Sequence, residues 1–269
     1  SKKHLSNSTI AKIFIILKQT FRYATNKKYI SENPMEDVIK PKSLKKDKKV
    51  RALSVSEQQK FTNWLLKQTP NDFPYKNIFL IQMYAGLRVG EVLALTSHNI
   101  DLKNRKINVD KTLTRNLKNE IIMGNQTKTY AGIRSIPIPN SLYPHIVEQM
   151  RISQTFDDNN EKLLFKPSNK SYVDRADVNK TLKFVLKYNF GINDITTHSL
   201  RHTYGTRCIE AGMQPVVLQR LMRHTDISTT LNTYTDVLND FKNEEIEKVN
   251  QYYLQKDLLA NKIFDENER

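Results

Sequence analysis

The sequence predicts a mainly α fold with a small antiparallel β-sheet, in which a partial helical domain precedes a larger α+β domain. Three observations carry that expectation. Apolar residues recur at three- and four-residue steps through most of the chain, the spacing of one helix face. Strand-like alternation with Thr and Ile enrichment is confined to residues 106–139. A basic, aperiodic stretch at 41–51 separates the first forty residues from the rest.

Ile10, Ile13, Phe14, Leu17, Phe21 and Ala24 set a helix over residues 8–28, with lysines between them. Asn33-Pro34 breaks it, and a short helical segment over 35–39 is expected to follow. One helix and a fragment enclose no core. Residues 1–40 are therefore expected to be part of a helical domain whose remainder lies ahead of Ser1, which stands where a Met would open a chain. After the 41–51 linker, Ser54-Val55-Ser56-Glu57 fits a capping box that opens a helix through Phe61, Trp64 and Leu65. A buried helix over 77–85 is stopped by Gly86. Strands are expected over 106–114 and 120–139, with turns near Asn104, Gly124 and Gly132. Beyond Leu142 the pattern is helical again: Gly212 ends one helix and Pro215 suits the first turn of the next. A charged amphipathic helix closes the chain over 241–264. The expected organisation is thus 1–40, linker 41–51, a main domain over 52–235 and a tail over 236–269.

Charge narrows the function classes. The formal net charge is +15 over 269 residues, which favours a polyanionic partner such as nucleic acid. Residues 1–49 carry 13 Lys/Arg against 4 Asp/Glu, whereas 236–269 carry 5 against 9. A basic front suits DNA and an acidic tail suits protein. No run approaches the roughly 18–20 apolar residues of a membrane span. The single cysteine, Cys208, excludes an internal disulfide and suits a reducing, cytoplasmic compartment. At helical spacing with Leu200 and Tyr204, it reads as a core thiol.

Six residues in order carry the chemistry: Arg88, Lys128, His198, Arg201, His224 and Tyr234. Arginine donates two parallel hydrogen bonds to the non-bridging oxygens of a phosphodiester and keeps its charge. Arg88, delivered by a Gly-stopped apolar helix with Glu91 one turn on to orient it, and Arg201 are the candidate clamp. His198 and Arg201, at i and i+3, share a helix face and can converge on one phosphate. His198 and His202 at i and i+4 also match a zinc spacing, but Arg201 stands between them with no His-Glu-x-x-His pattern and no Cys pair. His202 is expected to face away from the phosphate and to serve structure. Lys128, on an expected hairpin, can protonate a departing alkoxide. Tyr234, following a Ser/Thr-rich turn, is expected to project from a short mobile helix, with cations nearby to favour its phenolate.

Ala85-Gly86-Leu87-Arg88-Val89-Gly90-Glu91, Thr127-Lys128-Thr129, His198-Ser199-Leu200-Arg201-His202 and the segment from His224 to Tyr234 together resemble the tyrosine recombinases, or phage integrase family. The resemblance covers nearly the whole chain and looks most like integrases of Gram-positive phages and conjugative transposons. It implies a partial core-binding domain over 1–40 and a tyrosine-recombinase catalytic domain over 52–235. By the same resemblance Arg88 and Arg201 clamp the scissile phosphate, Lys128 protonates the 5′ oxygen, and His198 and His224 hydrogen-bond the phosphate or manage protons. Tyr234 would form a 3′-phosphotyrosyl link, with neither metal nor ATP. Four protomers on two double-stranded DNA sites, tail docking between neighbours and an accessory excisionase are implied as partners. The family usually has Gly before the second histidine, where this chain has Arg223. A type IB topoisomerase, a chromosome-dimer resolvase and a non-catalytic DNA-binding regulator are the competing readings.

Overall fold

A computed structural model describes residues 5–43, 50–125, 134–154, 163–167, 171–235 and 242–255. The chain divides into two compact units, Ser1–Lys49 and Val50–Arg269.

The first unit is built on α1 (Asn7–Asn26), capped by Ser6, whose hydroxyl accepts the Thr9 amide at 3.2 Å. No residue of α1 is buried, and Ile13, Ile15, Ile16, Leu17 and Tyr23 are exposed. The helix expected over 35–39 does not form. Asn33 Oδ1 accepts the Met35 amide at 3.0 Å and the Asn33 carbonyl accepts Glu36 at 3.1 Å, so a side-chain-stabilised turn takes its place. Ser43 closes the unit by donating its amide to Asn7 Oδ1 at 2.8 Å.

In the second unit α2 (Val55–Leu66) starts with the expected capping box between Ser54 and Glu57. Next comes α3 (Lys76–Ala85), buried at every residue but Tyr84. Gly86 ends it with φ +67, and a Cβ there would lie 2.3 Å from the Tyr204 ring, so only glycine satisfies both backbone and neighbour. α4 (Val89–Leu93) follows at once.

The strand expected over 106–114 is two strands in two sheets. β1 (Ile100–Asp101), β2 (Lys106–Val109) and β5 (Arg134–Pro137) form an antiparallel sheet in the order β1-β2-β5. β3 (Lys111–Arg115) and β4 (Ile121–Asn125) form a separate hairpin. The chain changes sheets at Asp110, whose carboxylate accepts from Asn99 at 2.9 Å. Gly124 is paired with Thr112 inside β4 and makes no turn. That turn lies at 116–119, where Asn116 Oδ1 accepts the amides of Lys118 and Glu120 and Asn119 takes φ +65. Gly132 lies outside the described residues.

Helices α5 (Tyr143–Gln154), α6 (Arg175–Phe190), α7 (Thr197–Glu210), α8 (Pro215–Met222), α9 (Ile227–Thr233) and α10 (Lys242–Gln255) complete the unit. Pro215 opens α8 as expected. The main core gathers α2, α3 and α6 around Phe61, Phe79, Leu182 and Leu186, with the α7 residue Leu200. A smaller core of Ile209, Leu218, Met222 and Tyr234 joins α7, α8 and the end of α9. Among the described residues, no helix is long and apolar enough to cross a membrane.

Candidate active site

The site is organised around a buried carboxylate. Glu91, one turn into α4, is 0% exposed. Such a charge is tolerated only when its oxygens are fully partnered. Arg88, the N-cap of α4, donates its amide to Oε2 at 2.8 Å and Nη1 to Oε1 at 3.0 Å. Arg134, at the head of β5, closes a two-pronged pair on the same carboxylate at 3.1 and 2.6 Å. Arg201, on α7 and 1% exposed, brings Nη1 to 3.9 Å of Oε2. Three guanidinium groups therefore surround one carboxylate.

The same three arginines also hold the end of α8. Three consecutive carbonyls receive one arginine each: Leu221 from Arg134 Nε at 2.9 Å, Met222 from Arg201 Nη2, and Arg223 from Arg88 Nη2 at 3.3 Å. Arg201 Nη1 donates to the Gly86 carbonyl at 2.5 Å, locking it to the turn after α3. A helix C-terminus carries unsatisfied carbonyls and a partial negative charge, so cations are well placed there. Burial, aided by the Arg88 and Arg134 charges and opposed by Glu91, lowers Arg201 to about 9. It remains charged at neutral pH.

Arg88, His198 and Arg201 line one cavity of about 260 Å³, together with Arg175 and the α4–β3 contact. Partial burial of its ring, then the Arg201 and Arg88 charges, hold His198 below the usual histidine range. Burial and the same two arginines push His224 down to about 4. Its Nδ1 lies 2.8 Å from the buried Thr230 hydroxyl. In the tautomer where Thr230 donates to Nδ1, the neutral ring carries its proton on Nε2 and can offer it to an anion.

Tyr234 departs from expectation. It caps the end of α9, but its side chain is 1% exposed and does not project from the helix. The hydroxyl donates to Met222 Sδ at 3.3 Å. The ring fits against α7 because residue 205 is glycine: a Cβ there would sit 1.8 Å from the hydroxyl oxygen. Burial raises the Tyr234 phenol well above its usual range, outweighing the opposite pull of Arg201. His202 packs its ring on Tyr234 at 5.2 Å, and its Nδ1 is buried with no hydrogen-bond partner among the described residues.

Thus Arg88, His198 and Arg201 share a cavity, and His224 sits within reach of their charges. Tyr234 is stored beside them, and Lys128 lies outside the described residues. Sequence reasoning passed over Arg134. Its signal was its register: it shares a strand face with Ile136, which is 1% exposed, so a cation stands at a core-facing position. Arg223 adopts φ +51 and ψ +54 at the end of α8, a left-handed conformation that explains why glycine is favoured there.

The model of the phage integrase family matches residues 45–240. A XerC-like tyrosine recombinase of Caldanaerobacter subterraneus is 27% identical over 93% of this chain and 67% of its own length. The transposase of transposon Tn916 from Enterococcus faecalis is 31% identical over 91% of this chain and 62% of its own length. The chain thus spans 62–67% of the length of these curated relatives. Among solved structures, the Tn1549 transposon integrase in complex with transposon right-end DNA superimposes with a TM-score of 0.77 at 26% identity, covering 91% of this chain and 80% of that one.

Proposed function

The chain belongs to the phage integrase family, and from that premise we propose that it is a site-specific tyrosine recombinase that cleaves and rejoins DNA to integrate and excise a mobile element. The observation that carries this reading is the arginine assembly on Glu91, with two histidines held largely neutral beside it.

Arg88 and Arg201 bind the non-bridging oxygens of the scissile phosphate. His198 and His224 donate to the same oxygens. Extra negative charge builds on these atoms as phosphorus becomes five-coordinate, and preplaced donors stabilise it without reorganisation. Tyr234 Oη forms the new bond to phosphorus while the bond to the 5′ oxygen breaks. Its phenolic proton passes to a neighbouring base, and the Lys128 ammonium supplies a proton to the leaving oxygen. The resulting 3′-phosphotyrosyl bond conserves the linkage for rejoining, so the reaction consumes no ATP.

Double-stranded recombination sites are the substrate, and the basic surface draws them in. A tetramer on paired sites is the working assembly. The exposed Ile246, Val249, Tyr252 and Tyr253 of α10 supply an apolar face for docking onto a neighbouring protomer.

Suicide DNA substrates, nicked so that the small product diffuses away, test the reading. In EDTA, the chain should form a protein–DNA adduct that survives denaturation and is absent for Tyr234→Phe. Tight binding of the verified site with no adduct from either protein would leave a DNA-binding regulator instead.

A further inference from the structure

Arg134 lines no part of the phosphate cavity, yet it is the most completely committed of the three arginines. Its side chain is only 9% exposed. Nη1 and Nη2 take the two oxygens of Glu91, and Nε takes the Leu221 carbonyl. Arg88 is different. It is exposed, and Nη2 reaches the Arg223 carbonyl at a long 3.3 Å, so that prong can turn to an incoming phosphate. Once it does, the Arg223 carbonyl gives up the Arg88 bond. Arg134 and Arg201 then remain as the arginine grips on the end of α8, beside the backbone bonds of the turn leading to His224 and α9.

We propose that Arg134 is a positioning residue for phosphoryl transfer: by gripping Glu91 and the α8 terminus together, it sets the clamp's charge and holds His224 in register with it. This rests on the recombinase reading above. The charge argument is direct. Three guanidinium groups against one carboxylate leave a surplus of two positive charges. A phosphodiester carries one negative charge, and its five-coordinate transition state carries two. Without Arg134, the guanidinium groups of Arg88 and Arg201 remain on Glu91, and the surplus falls to one. Arg88 is also drawn inward, towards a carboxylate that has lost its two-pronged partner. Both changes weaken binding of the transition state more than binding of the ground state, and interactions confined to the transition state govern rate more than affinity.

The test uses the full chain in single-turnover cleavage of a suicide substrate, with DNA affinity measured in parallel. R134Q should cleave on the order of 100-fold more slowly, the scale of one lost electrostatic donor. Its DNA dissociation constant should stay within about threefold of wild type, as expected for a group acting on the transition state. R134K keeps the charge but loses the fork, and should recover roughly a tenth of the wild-type rate. A methylphosphonate at the scissile linkage removes one negative charge from the reacting group, so on it the R134Q deficit should shrink to about tenfold or less. In the E91Q background, R134Q should add little, because both changes break the same network.

Wild-type adduct with an equally active R134Q would overturn the inference and leave the recombinase reading intact. So would a loss explained by DNA affinity, an equal deficit on phosphate and methylphosphonate, or effects that multiply with E91Q. If R134Q shows no cooperative melt, R134K decides the matter, and cleavage by it at the wild-type rate overturns the proposal. Absence of any wild-type adduct on verified sites would instead defeat the recombinase reading itself.

Discussion

The arginine clamp and the tyrosine shelf are built on one helix and differ in nearly every physical respect. Arg201 and Gly205 stand four residues apart on the same face of α7. At the first position a buried cation meets Glu91 and two backbone carbonyls, all polar and mutually satisfied. At the second, the missing side chain opens a slot in which Tyr234 lies on Met222 within an apolar cluster. The clamp is assembled in advance, because charged groups inside a protein must have fixed partners. The tyrosine side has one hydrogen bond, to Met222 Sδ, and is otherwise covered by burial, which is non-directional and easier to undo. On the proposed reading of Tyr234 as the nucleophile, a residue that is 1% exposed cannot meet a phosphate, and α9 must leave the shelf before reaction. On that reading the clamp is the fixed half and the shelf is the moving half.

The strongest way to break this contrast is to remove the clamp's centre. Glu91→Gln leaves the buried arginines without a counter-charge and should cost about 3–5 kcal/mol in chemical denaturation. Adduct formation should fall by roughly 1000-fold, and a near-normal rate would show that the carboxylate is incidental.

Gly205→Ala tests the shelf. The added methyl collides with the Tyr234 hydroxyl and reaches 3.0 Å from Met222 Sδ, so the ring must move out. Tyr234 should become reactive to iodination or nitration, and adduct should appear about tenfold faster if the stored state loses about 1.4 kcal/mol. A tyrosine still protected from reagent would mean that burial is not what stores it.

A smaller effect separates the two halves by pH. His224 is lowered to about 4 from an unfolded value near 6.5, and His198 and His202 are lowered too. As pH falls below about 6.5 the unfolded chain takes up protons that the folded one refuses, so stability declines towards pH 4 and is level above about 7. Thermal melts at pH 7 and pH 5 should show the lower midpoint at pH 5. A phosphate in the clamp favours protonated histidines, so cognate DNA should reduce the difference.

The smallest change is Arg223→Gly at the hinge between the halves. Relief of the left-handed backbone should raise stability by up to about 1 kcal/mol, read as a higher melting midpoint. A drop would show that the Arg223 side chain makes contacts worth more than the strain.

Much of this was legible before any coordinates. Ser54 and Glu57 announced their capping box, Gly86 its helix stop, and Pro215 the start of α8, because each depends on neighbours a few residues away. Arg88, His198, Arg201 and His224 are identifiable from their local settings, and the structure places the first three around one cavity with His224 within reach of their charges. The elements misread were those decided at a distance or by a side chain competing with the backbone. Asn33 replaced a helix with a turn, and Asp110 parted one apparent strand into two sheets.

What the amino-acid order determined by itself was the mainly helical class, the locally capped helices, the family and most of the charged groups proposed to hold a phosphodiester. Periodicity, caps and residue chemistry are local properties. Only the tertiary structure decided that Arg134, from a strand 43 residues beyond Glu91, completes the clamp. It also decided that Tyr234 lies buried on Met222 and Gly205. Both outcomes depend on which distant surfaces close over a buried charge or an aromatic ring. Burial is a property of the packed chain, and no single segment carries it.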